Sequence, residues 1–171
     1  LTKHALLRAG TDVRADERVA LIAMACRMPV ADSVTFIYPR LFALDDLAGH
    51  AGMPDASGAP TLPPTLPLSV EKLTSEGAFL LDDAVSLFLW LGRGLTQEWM
   101  QAVLQVSSTE GVDCSRLRLT PVDNPLSSRV NRLVNAVRSQ RPHLLQSVRV
   151  LVAKDPLEAC SLSMLVPSPS P

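Results

Sequence analysis

Three histidines, His4, His50 and His143, are the side chains best suited to acid–base chemistry near neutral pH in this chain of 171 residues. A catalytic histidine needs a serine or cysteine nucleophile beside it and a third group that orients its ring. The predicted elements keep these histidines apart, in a terminal helix, a loop and a helix-to-strand connection. The sequence also lacks the Gly-x-Ser-x-Gly turn that exposes a nucleophilic serine. We therefore interpret them as surface histidines and predict no catalytic residue and no enzyme activity.

Residues that could hold a phosphate group or a metal are equally sparse. The segment Gly92-Arg93-Gly94 lacks the third glycine and the Lys-Ser/Thr pair of a phosphate-binding loop, so it is interpreted as a turn. The cysteines Cys26, Cys114 and Cys160 are widely separated and form no Cys-x-x-Cys pair, which argues against zinc. Cys26 and Cys160 fall on apolar helix positions, so we expect buried thiols in a reducing cytosol rather than disulfides.

The most distinctive charge pattern is a run without acidic residues from Pro125 to Lys154. Its cationic side chains are Arg129, Arg132, Arg138, Arg141, Arg149 and Lys154. Residues three apart on a helix share a face, so Arg129 and Arg132 are expected to lie together. Two interpretations stay open: a solvated face balanced by the acidic loop, or a docking surface for anionic lipid head groups or an acidic partner. The arginines from 129 to 141 form the tentative interaction surface.

Composition excludes several classes of protein. The chain has 16 basic and 17 acidic residues, so it carries no bulk positive charge for binding nucleic acid. Hydrophobic residues make up 47%, which excludes a disordered chain. No apolar run approaches the roughly 18 residues that a membrane span needs, and no basic-then-apolar signal opens the sequence. Because the chain begins at Leu1 rather than at a methionine, we expect a fragment or a cleaved product of a longer protein.

The elements that position these side chains are organised around Leu66–Leu104. Two apolar runs, Ala78–Leu81 and Val85–Leu91, predict strands covered on both faces, because a half-exposed strand would alternate with polar residues. The intervening Asp82-Asp83 predicts a tight reversal, since aspartate side chains bond nearby backbone groups. Helical spacing then follows at Leu95, Trp99, Val103 and Leu104. This unit predicts strand, turn, strand and a helix laid across the sheet.

Upstream of this unit, helices are predicted at Leu1–Gly10 and at Ala15–Met28, where Asp16 could serve as the N-cap. The predicted buried face of the second helix is Val19, Ile22, Ala23 and Cys26. The short first helix is interpreted as belonging to a helical domain.

Between the helices and the central unit, the sequence predicts a strand and a loop. Val34–Tyr38 is β-branched and aromatic, and Pro39 forces a break at a sheet edge or bulge before Leu41–Leu44 continues it or forms a second strand. Residues 46–65 are rich in glycine and proline, which predicts a flexible surface loop.

Downstream, Arg116–Thr120 alternates like a half-exposed strand, and Asn124-Pro125 predicts the start of a helix, because asparagine caps well and proline fits the first helical position. The buried stripe of this helix is Leu126, Val130, Leu133 and Val137. Ser147–Ala153 predicts a strand, and Asp155 opens a last helix before a frayed tail at 167–171. With about five or six strands and helices between and after them, the fold class is α/β, a mixed β-sheet sandwiched between helices.

Several short motifs occur in register over most of the chain. They are Asp16-Glu17-Arg18-Val19, Tyr38-Pro39-Arg40-Leu41, Leu66-Pro67-Leu68-Ser69, Gly77-Ala78-Phe79-Leu80-Leu81-Asp82, Leu89-Trp90-Leu91-Gly92 and Asp123-Asn124-Pro125-Leu126. Together they resemble the C-terminal part of the cargo-adaptor subunit of the COPII vesicle coat. The resemblance implies the end of a helical domain at 1–30 and a gelsolin-like domain at 31–166. It also implies that Tyr38, Pro39, Arg40, Leu41, Gly77, Trp90, Gly92, Asn124 and Pro125 are signature residues with structural roles.

The resemblance implies a binding function without bond chemistry, in transport from the endoplasmic reticulum to the Golgi. The expected partners are the GTPase-activating coat subunit, a Sar-type GTPase, cargo sorting signals and an anionic membrane surface, with no nucleic acid. The family's zinc would belong to an upstream zinc finger, so no cofactor is expected in this piece. The expected location is the cytoplasmic side of the endoplasmic reticulum membrane, held peripherally.

Two other gelsolin-like proteins stay open as alternatives. One is the GTPase-activating coat subunit, for which Arg93 or Arg116 would be the arginine that reaches the GTPase. The other is an actin-binding gelsolin repeat, which would need calcium. Glu98 lies where such repeats keep a ligand glutamate, but Gly77 stands where they keep a partner aspartate. One carboxylate would hold calcium weakly, so Glu98 is otherwise interpreted as a solvated residue in the first turn of a helix.

Overall fold

The computed structural model describes residues 15–47, 49–108, 116–141 and 147–153. In chain order the elements are α1 (Ala15–Arg27), α2 (Val30–Ile37), β1 (Arg40–Ala43), a short 3-10 helix (Val70–Lys72), β2 (Ala78–Asp82), β3 (Leu87–Leu91), α3 (Gln97–Leu104), α4 (Pro125–Ser139) and β4 (Val148–Val152). No helix within these ranges is long and apolar enough to cross a bilayer.

The strands form one mixed sheet in the order β1-β2-β3-β4. The first three strands are antiparallel neighbours, and β4 joins β3 in parallel. A parallel neighbour requires a crossover connection, which here contains α3 and α4. Every residue of β2 and β3 is buried, which confirms that both faces of these apolar strands are covered.

Alternate residues of the strands face two apolar clusters on opposite sides of the sheet. On one side, Leu80, Leu89 and Val150 pack with α3 and α4, which bury Trp99 and Val137. The cluster on the other side contains Leu41, Phe79, Leu81, Phe88, Trp90 and Leu151, with Leu66, Leu68 and Leu73 packed against it. The sheet is therefore the central layer, as the apolar runs predict.

Both helices on the first side begin at polar caps. The Thr96 hydroxyl oxygen accepts a hydrogen bond from the amide of Trp99 at 3.3 Å, at the start of α3. Asn124 Oδ1 accepts one from the amide of Ser127 at 2.8 Å, at the predicted start of α4. Asn124 Nδ2 also donates to the carbonyl of Ala102 at 2.8 Å, so this cap ties α4 to α3.

A close backbone approach explains two of the glycines. The amide of Gly92 donates to the carbonyl of Gly77 at 2.9 Å. A Cβ atom at Gly92 would overlap the backbone of Ser75, and one at Gly77 would overlap the ring of Phe79. Only glycine leaves room for the two segments to meet in this way.

The prediction of a strand at Val34–Tyr38 is wrong, because these residues form or directly follow α2. Pro29 precedes this helix with φ −53°, a backbone angle that suits a helix start. Phe36 is 4% exposed and packs with Ala84 of the β2–β3 loop. Tertiary packing of an apolar helix face therefore overrides the strand propensity of valine, threonine and phenylalanine.

The strand after Pro39 lies at the edge of the sheet, where a proline is tolerated. Residues 46–65 hold no helix or strand among those described, and their backbone is cross-linked. The amide of Gly52 donates to the carbonyl of Thr61, and the amide of Thr61 donates to the carbonyl of Met53, both at 2.9 Å. The segment is irregular, as its composition predicts, and hydrogen bonds join its two halves.

The predicted strand at Arg116–Thr120 is wrong as an element of the sheet. Burial does alternate there, with Leu117 buried and its neighbours exposed. The described sheet nevertheless ends at β1 and β4, and this segment has no partner strand within it. The described part of the chain therefore holds four strands, fewer than the sequence predicts.

Cys26 is exposed, against the prediction of a buried thiol. Helix α1 turns another set of residues inward, namely Leu21, Met24, Ala25 and Met28. Val19 and Ile22 consequently keep 66% and 48% of their surface exposed. Asp16 lies inside the helix rather than at its N-cap.

Some predictions lie outside the described residues. They concern the helix at Leu1–Gly10, the last helix from Asp155, the tail at 167–171, and the side chains of His4, Cys114, His143, Lys154 and Cys160.

Candidate interaction site

A fully buried carboxylate, Asp82, lies where β2 ends and the reversal toward β3 begins. Its Oδ2 accepts hydrogen bonds from Arg40 Nε at 3.0 Å and from Arg40 Nη2 at 2.6 Å. Arg141 Nη1 donates to the same oxygen at 3.0 Å, and the amide of Ala84 donates to Oδ1 at 3.0 Å. A buried carboxylate is costly unless charged and polar groups compensate it, and here two guanidinium groups do so.

Arg141 follows α4 directly and is 3% exposed. Its Nε donates to Asp32 Oδ1 at 2.7 Å, and its Nη1 donates to Asp82. Asp32 lies in the first turn of α2, so one arginine joins α2, the end of α4 and the β2–β3 turn. Arg40 Nη2 adds a bond to Gln140 Oε1 at 2.8 Å.

An apolar contact accompanies these ion pairs. Phe36 of α2 and Ala84 of the β2–β3 loop are both buried and pack together. Ala84 has φ 71°, a left-handed conformation that costs energy for a residue with a Cβ atom. We call Asp32, Phe36, Arg40, Asp82, Ala84 and Arg141 the junction. It is the set of contacts that holds the two N-terminal helices against the sheet.

Asp83, the other aspartate of the reversal, is also buried. Its Oδ1 accepts hydrogen bonds from the amides of Val85 at 2.9 Å and Ser86 at 2.6 Å, which fixes the loop. Burial raises the pKa of the Asp83 carboxyl above its ordinary value, and the neighbouring charge of Asp82 raises it further. The hydrogen bonds from the loop amides oppose this rise in pKa.

The arginines predicted as one interaction surface separate into different environments. Arg141 is buried in the junction, so it presents no free surface. Arg129 is half-buried and donates from Nε to the carbonyl of Ala51 at 2.9 Å, and from Nη2 to the carbonyls of Leu47 and Gly49. It therefore anchors the start of the loop at 46–65.

Arg132 and Arg138 are the two arginines of that predicted surface with exposed side chains. Both belong to α4 and point away from its buried stripe, which includes Val130, Leu133 and Val137. Arg149 is exposed too, but it lies on β4 next to Val150, so its side chain points to the opposite side of the sheet from α4. Of the four arginines predicted as one interaction surface, only Arg132 and Arg138, both on α4, therefore have exposed side chains.

The residues considered for acid–base chemistry or calcium do not converge. His50 lies exposed in a turn, and Glu98 is exposed in the first turn of α3. Glu98 borders a cavity of about 520 Å³ whose other lining residues are Thr96, Gln97 and Gln101. In the described part of the chain, no three His, Cys, Asp or Glu side chains are close enough to hold a metal ion together.

Several of the signature residues are buried or bonded within the fold. Leu41 is 1% exposed, and the ring of Trp90 packs against that of Phe79 with centroids 5.8 Å apart. Arg40 bonds Asp82 and lies over the ring of Phe42 at 5.6 Å. Tyr38 differs, since it is 52% exposed at the end of α2. Pro125, at the start of α4, is exposed as well.

Sequence reasoning misses the junction. Asp82 is predicted only as a turn residue, Asp32 is not singled out, and Arg141 is placed on a surface. The bond between Arg141 and Asp32 spans 109 positions, and no local pattern announces it. A usable signal was the Asp-Asp pair itself, because two acids inside a strongly apolar stretch call for buried cationic partners.

Comparison with models of known protein families identifies the class of fold. Residues 60–134 match the family model described as the gelsolin repeat. This match covers β2, β3, α3 and most of α4, whereas Asp32 and Arg141 of the junction lie outside it. The fold is therefore a gelsolin-type α/β domain, and the junction joins residues outside the match, Asp32 and Arg141, to Asp82 within it.

The similarity to particular proteins extends over nearly the whole chain. It is 32% identical to protein transport protein SEC24 of Podospora anserina over 88% of this chain and 16% of that protein. It is 30% identical to protein transport protein Sec24A of Homo sapiens over 97% of this chain and 15% of that protein. The crystal structure of the human COPII-coat protein Sec24c superimposes with a TM-score of 0.76 at 29% identity, covering 95% of this chain and 20% of that one.

The chain belongs to the Sec24 family and spans about a sixth of the length of the curated relatives that it matches. The same findings favour this assignment over an actin-binding gelsolin repeat or the GTPase-activating coat subunit. Arg93, which the GTPase-activating alternative would have used, donates a hydrogen bond from Nε to the carbonyl of Ala153 at 3.0 Å and so has a local structural contact.

Proposed function

We propose that this chain is a non-catalytic scaffold domain of a COPII cargo-adaptor subunit and acts in vesicle transport from the endoplasmic reticulum to the Golgi. The observation that carries the proposal is the homology to Sec24 proteins over 88–97% of the chain, joined to the shared fold of the COPII-coat protein Sec24c. The domain would contribute position and contact surface to the coat rather than bond chemistry.

The partners that we propose are those of the coat as a whole. They are the GTPase-activating coat subunit, the Sar-type GTPase, and sorting signals in cargo tails. The assembly would lie on the cytosolic face of the endoplasmic reticulum membrane and would be held there peripherally. Any zinc would belong to another portion of such an adaptor.

Within that assembly, the junction supports a scaffold role. Asp32, Asp82 and Arg141 of the junction are buried, Arg40 is partly buried, and their bonds of 2.6–3.1 Å would hold α2 in one orientation on the sheet. Ion pairs in a buried interface constrain geometry, because displaced partners leave charges uncompensated. A fixed angle between helices and sheet is what a repeating coat requires of its parts.

We further propose that Arg132 and Arg138 supply a contact for an anionic lipid surface or an acidic partner. Both are exposed on α4, within the acid-free run from Pro125 to Lys154. The proposal is narrower than the surface expected from the sequence, since Arg129 and Arg141 bond inward. Each such side chain near an anionic surface contributes on the order of 1 kcal/mol, so the pair would support binding without driving it alone.

A chimeric adaptor tests the coat proposal. The portion of human Sec24A that this chain matches is exchanged for this chain, and the chimera is mixed with anionic liposomes, a Sar-type GTPase locked in its GTP form and the GTPase-activating subunit. We expect the chimera to float with the liposomes only when both proteins are present, as intact Sec24A does. A folded chimera that never floats would refute the scaffold assignment.

The α4 surface is tested in the same assay with Arg132→Glu and Arg138→Glu together. We expect flotation to fall by several fold at low salt, with the loss shrinking as salt screens the contact. Arg149→Glu, at an exposed arginine on the opposite side of the sheet, is the control, and it reverses one charge where the double variant reverses two. An equal loss per reversed charge in the two variants would assign the effect to net charge rather than to α4.

A further inference from the structure

The segment Pro60–Pro67 reads Pro-Thr-Leu-Pro-Pro-Thr-Leu-Pro, which is the motif Pro-x-x-Pro twice in succession. It lies in the irregular region before β2 and takes no part in the junction. Neither the fold nor the scaffold role explains why the four-residue unit Pro-Thr-Leu-Pro should occur twice within these eight residues.

The chemistry of the segment sets its backbone conformation. Proline fixes φ near −65°, and the residue before each proline is driven to extended angles. These two constraints act on most of the segment and favour a polyproline II conformation. Helix and strand are both absent from 61–65. Backbone hydrogen bonds hold both ends of the segment. Thr61 bonds with Gly52 and Met53, and the amide of Leu66 donates to the carbonyl of Leu41 at 2.8 Å.

The two leucines fasten the segment to the body of the domain. Leu62 packs against the cluster beneath α3 and α4, whereas Leu66 packs against the cluster on the opposite side of the sheet. The segment therefore passes over the edge of β1 from one apolar cluster to the other. An exposed strand edge that is crossed in this way is shielded from pairing with another chain.

The outward face of the segment is regular. A polyproline II helix has three residues per turn, so Thr61, Pro64 and Pro67 share one edge. All three are exposed, while Pro60 and Pro63 are partly covered. The second Pro-x-x-Pro motif is thus displayed to solvent, and the inward-facing residues hold it in place.

We propose that Pro64–Pro67 is a docking site for a protein module with an aromatic-lined groove, of the kind that SH3, WW and EVH1 domains use for Pro-x-x-Pro segments. Residues 56–70 carry no charged side chain, so recognition rests on apolar contact with the proline rings. Because both ends of the segment are anchored, little conformational entropy is lost on binding, and this pre-organisation favours affinity.

The test measures binding of the 171-residue chain to an array of purified SH3, WW and EVH1 domains. We expect at least one domain to bind with a micromolar Kd, and Pro64→Ala combined with Pro67→Ala to weaken that binding by about tenfold or more. Pro121→Ala, an exposed proline outside the segment, is the control and should bind like the native chain.

Thermal unfolding of the double variant should match that of the native chain, because both prolines are exposed. No binding by any domain would overturn the proposal. So would binding that the double variant leaves unchanged, or a loss of binding that Pro121→Ala reproduces.

Discussion

The sheet and the N-terminal helices are held in different ways. Around the sheet, apolar side chains on both faces exclude water, and residues such as Leu87, Leu89 and Leu91 are 0% exposed. Among the described contacts, α1 and α2 pack in a small apolar cluster about Phe36, and an ion pair between Asp32 and Arg141 also attaches α2. Apolar burial tolerates small shifts in geometry, whereas paired buried charges do not. The first region gains stability from its packing, and the second gains a fixed orientation.

Loss of Arg141 is the strongest test of this comparison. Arg141→Met keeps the aliphatic stem but leaves Asp32 and Asp82 without their shared cation. Removing one member of a buried ion network costs about 3–5 kcal/mol, and we expect the loss to fall on the attachment of α1 and α2. Hydrogen exchange should show lost protection at Ala15–Ile37, with β2 and β3 still protected.

Arg138→Met is the control for Arg141→Met, because it removes an exposed arginine from the same helix end and should change stability by less than about 0.5 kcal/mol. Uniform loss of protection over helices and sheet would contradict the division into two regions.

A cavity in the core beside the sheet should destabilise both regions, whereas the loss of Arg141 should affect mainly α1 and α2. Leu89→Ala removes a side chain from the central strand β3, where it is 0% exposed. Such truncations cost about 2–5 kcal/mol, and here the cost should appear in every element at once, because the core supports both regions. Urea unfolding followed by far-UV circular dichroism measures it, with Val85→Ala in the exposed loop as the control. Should only the helices loosen, the core would not be the common support.

A third variant tests the loop at 46–65, which belongs neither to the sheet nor to the N-terminal helices. Arg129→Met deletes the bonds to the carbonyls of Leu47, Gly49 and Ala51 while retaining the stem. Each charged hydrogen bond contributes about 1.5–3 kcal/mol, but Arg129 is only half-buried and its bond to Gly49 is exposed, so we expect a total loss of about 1–2 kcal/mol. Exchange should accelerate at residues 49–53 and not at α1 or α2. Arg132→Met on the exposed side of α4 is the matched control.

The sequence predicts the sheet region well because its signals are local. Apolar runs, the Asp-Asp reversal and the Asn-Pro helix start each lie within a few residues, so β2, β3 and α4 fall close to where they are expected. The N-terminal region is predicted less well, because its structure depends on contacts from far along the chain. Val34–Ile37 has strand propensity, yet these residues belong to α2, whose Phe36 packs with the distant Ala84.

The candidate site shows the same limit. The acid-free run directs attention to the arginines of α4 and its C-terminal end. Which of them bond inward is decided by Leu47, Asp32 and Asp82, which are 59 or more positions away. Charge patterns in a sequence therefore identify candidates, and only tertiary contacts separate the buried arginines from the exposed ones.

The β2–β3 turn supplies Asp82 and Ala84 to the junction, and its other aspartate, Asp83, allows a finer test. Its folded-state pKa is raised, chiefly by burial and also by Asp82, so the folded chain favours the protonated acid. That contribution to stability is complete below the unfolded pKa of 3.8 and is lost as pH rises through the folded pKa. Asp83→Asn cannot ionise, yet its carbonyl oxygen can accept the bonds from Val85 and Ser86.

We therefore expect Asp83→Asn to be more stable than the native chain at about pH 7, with the advantage shrinking as pH falls toward the unfolded pKa. This should be the smallest of the four effects, since the loop hydrogen bonds already oppose the rise in pKa. Urea unfolding across this pH range measures it, and Asp46→Asn, an exposed acid, is the control for a simple change in net charge. A variant that is less stable than the native chain at neutral pH would mean that the ionised Asp83 is needed to hold the loop against the junction.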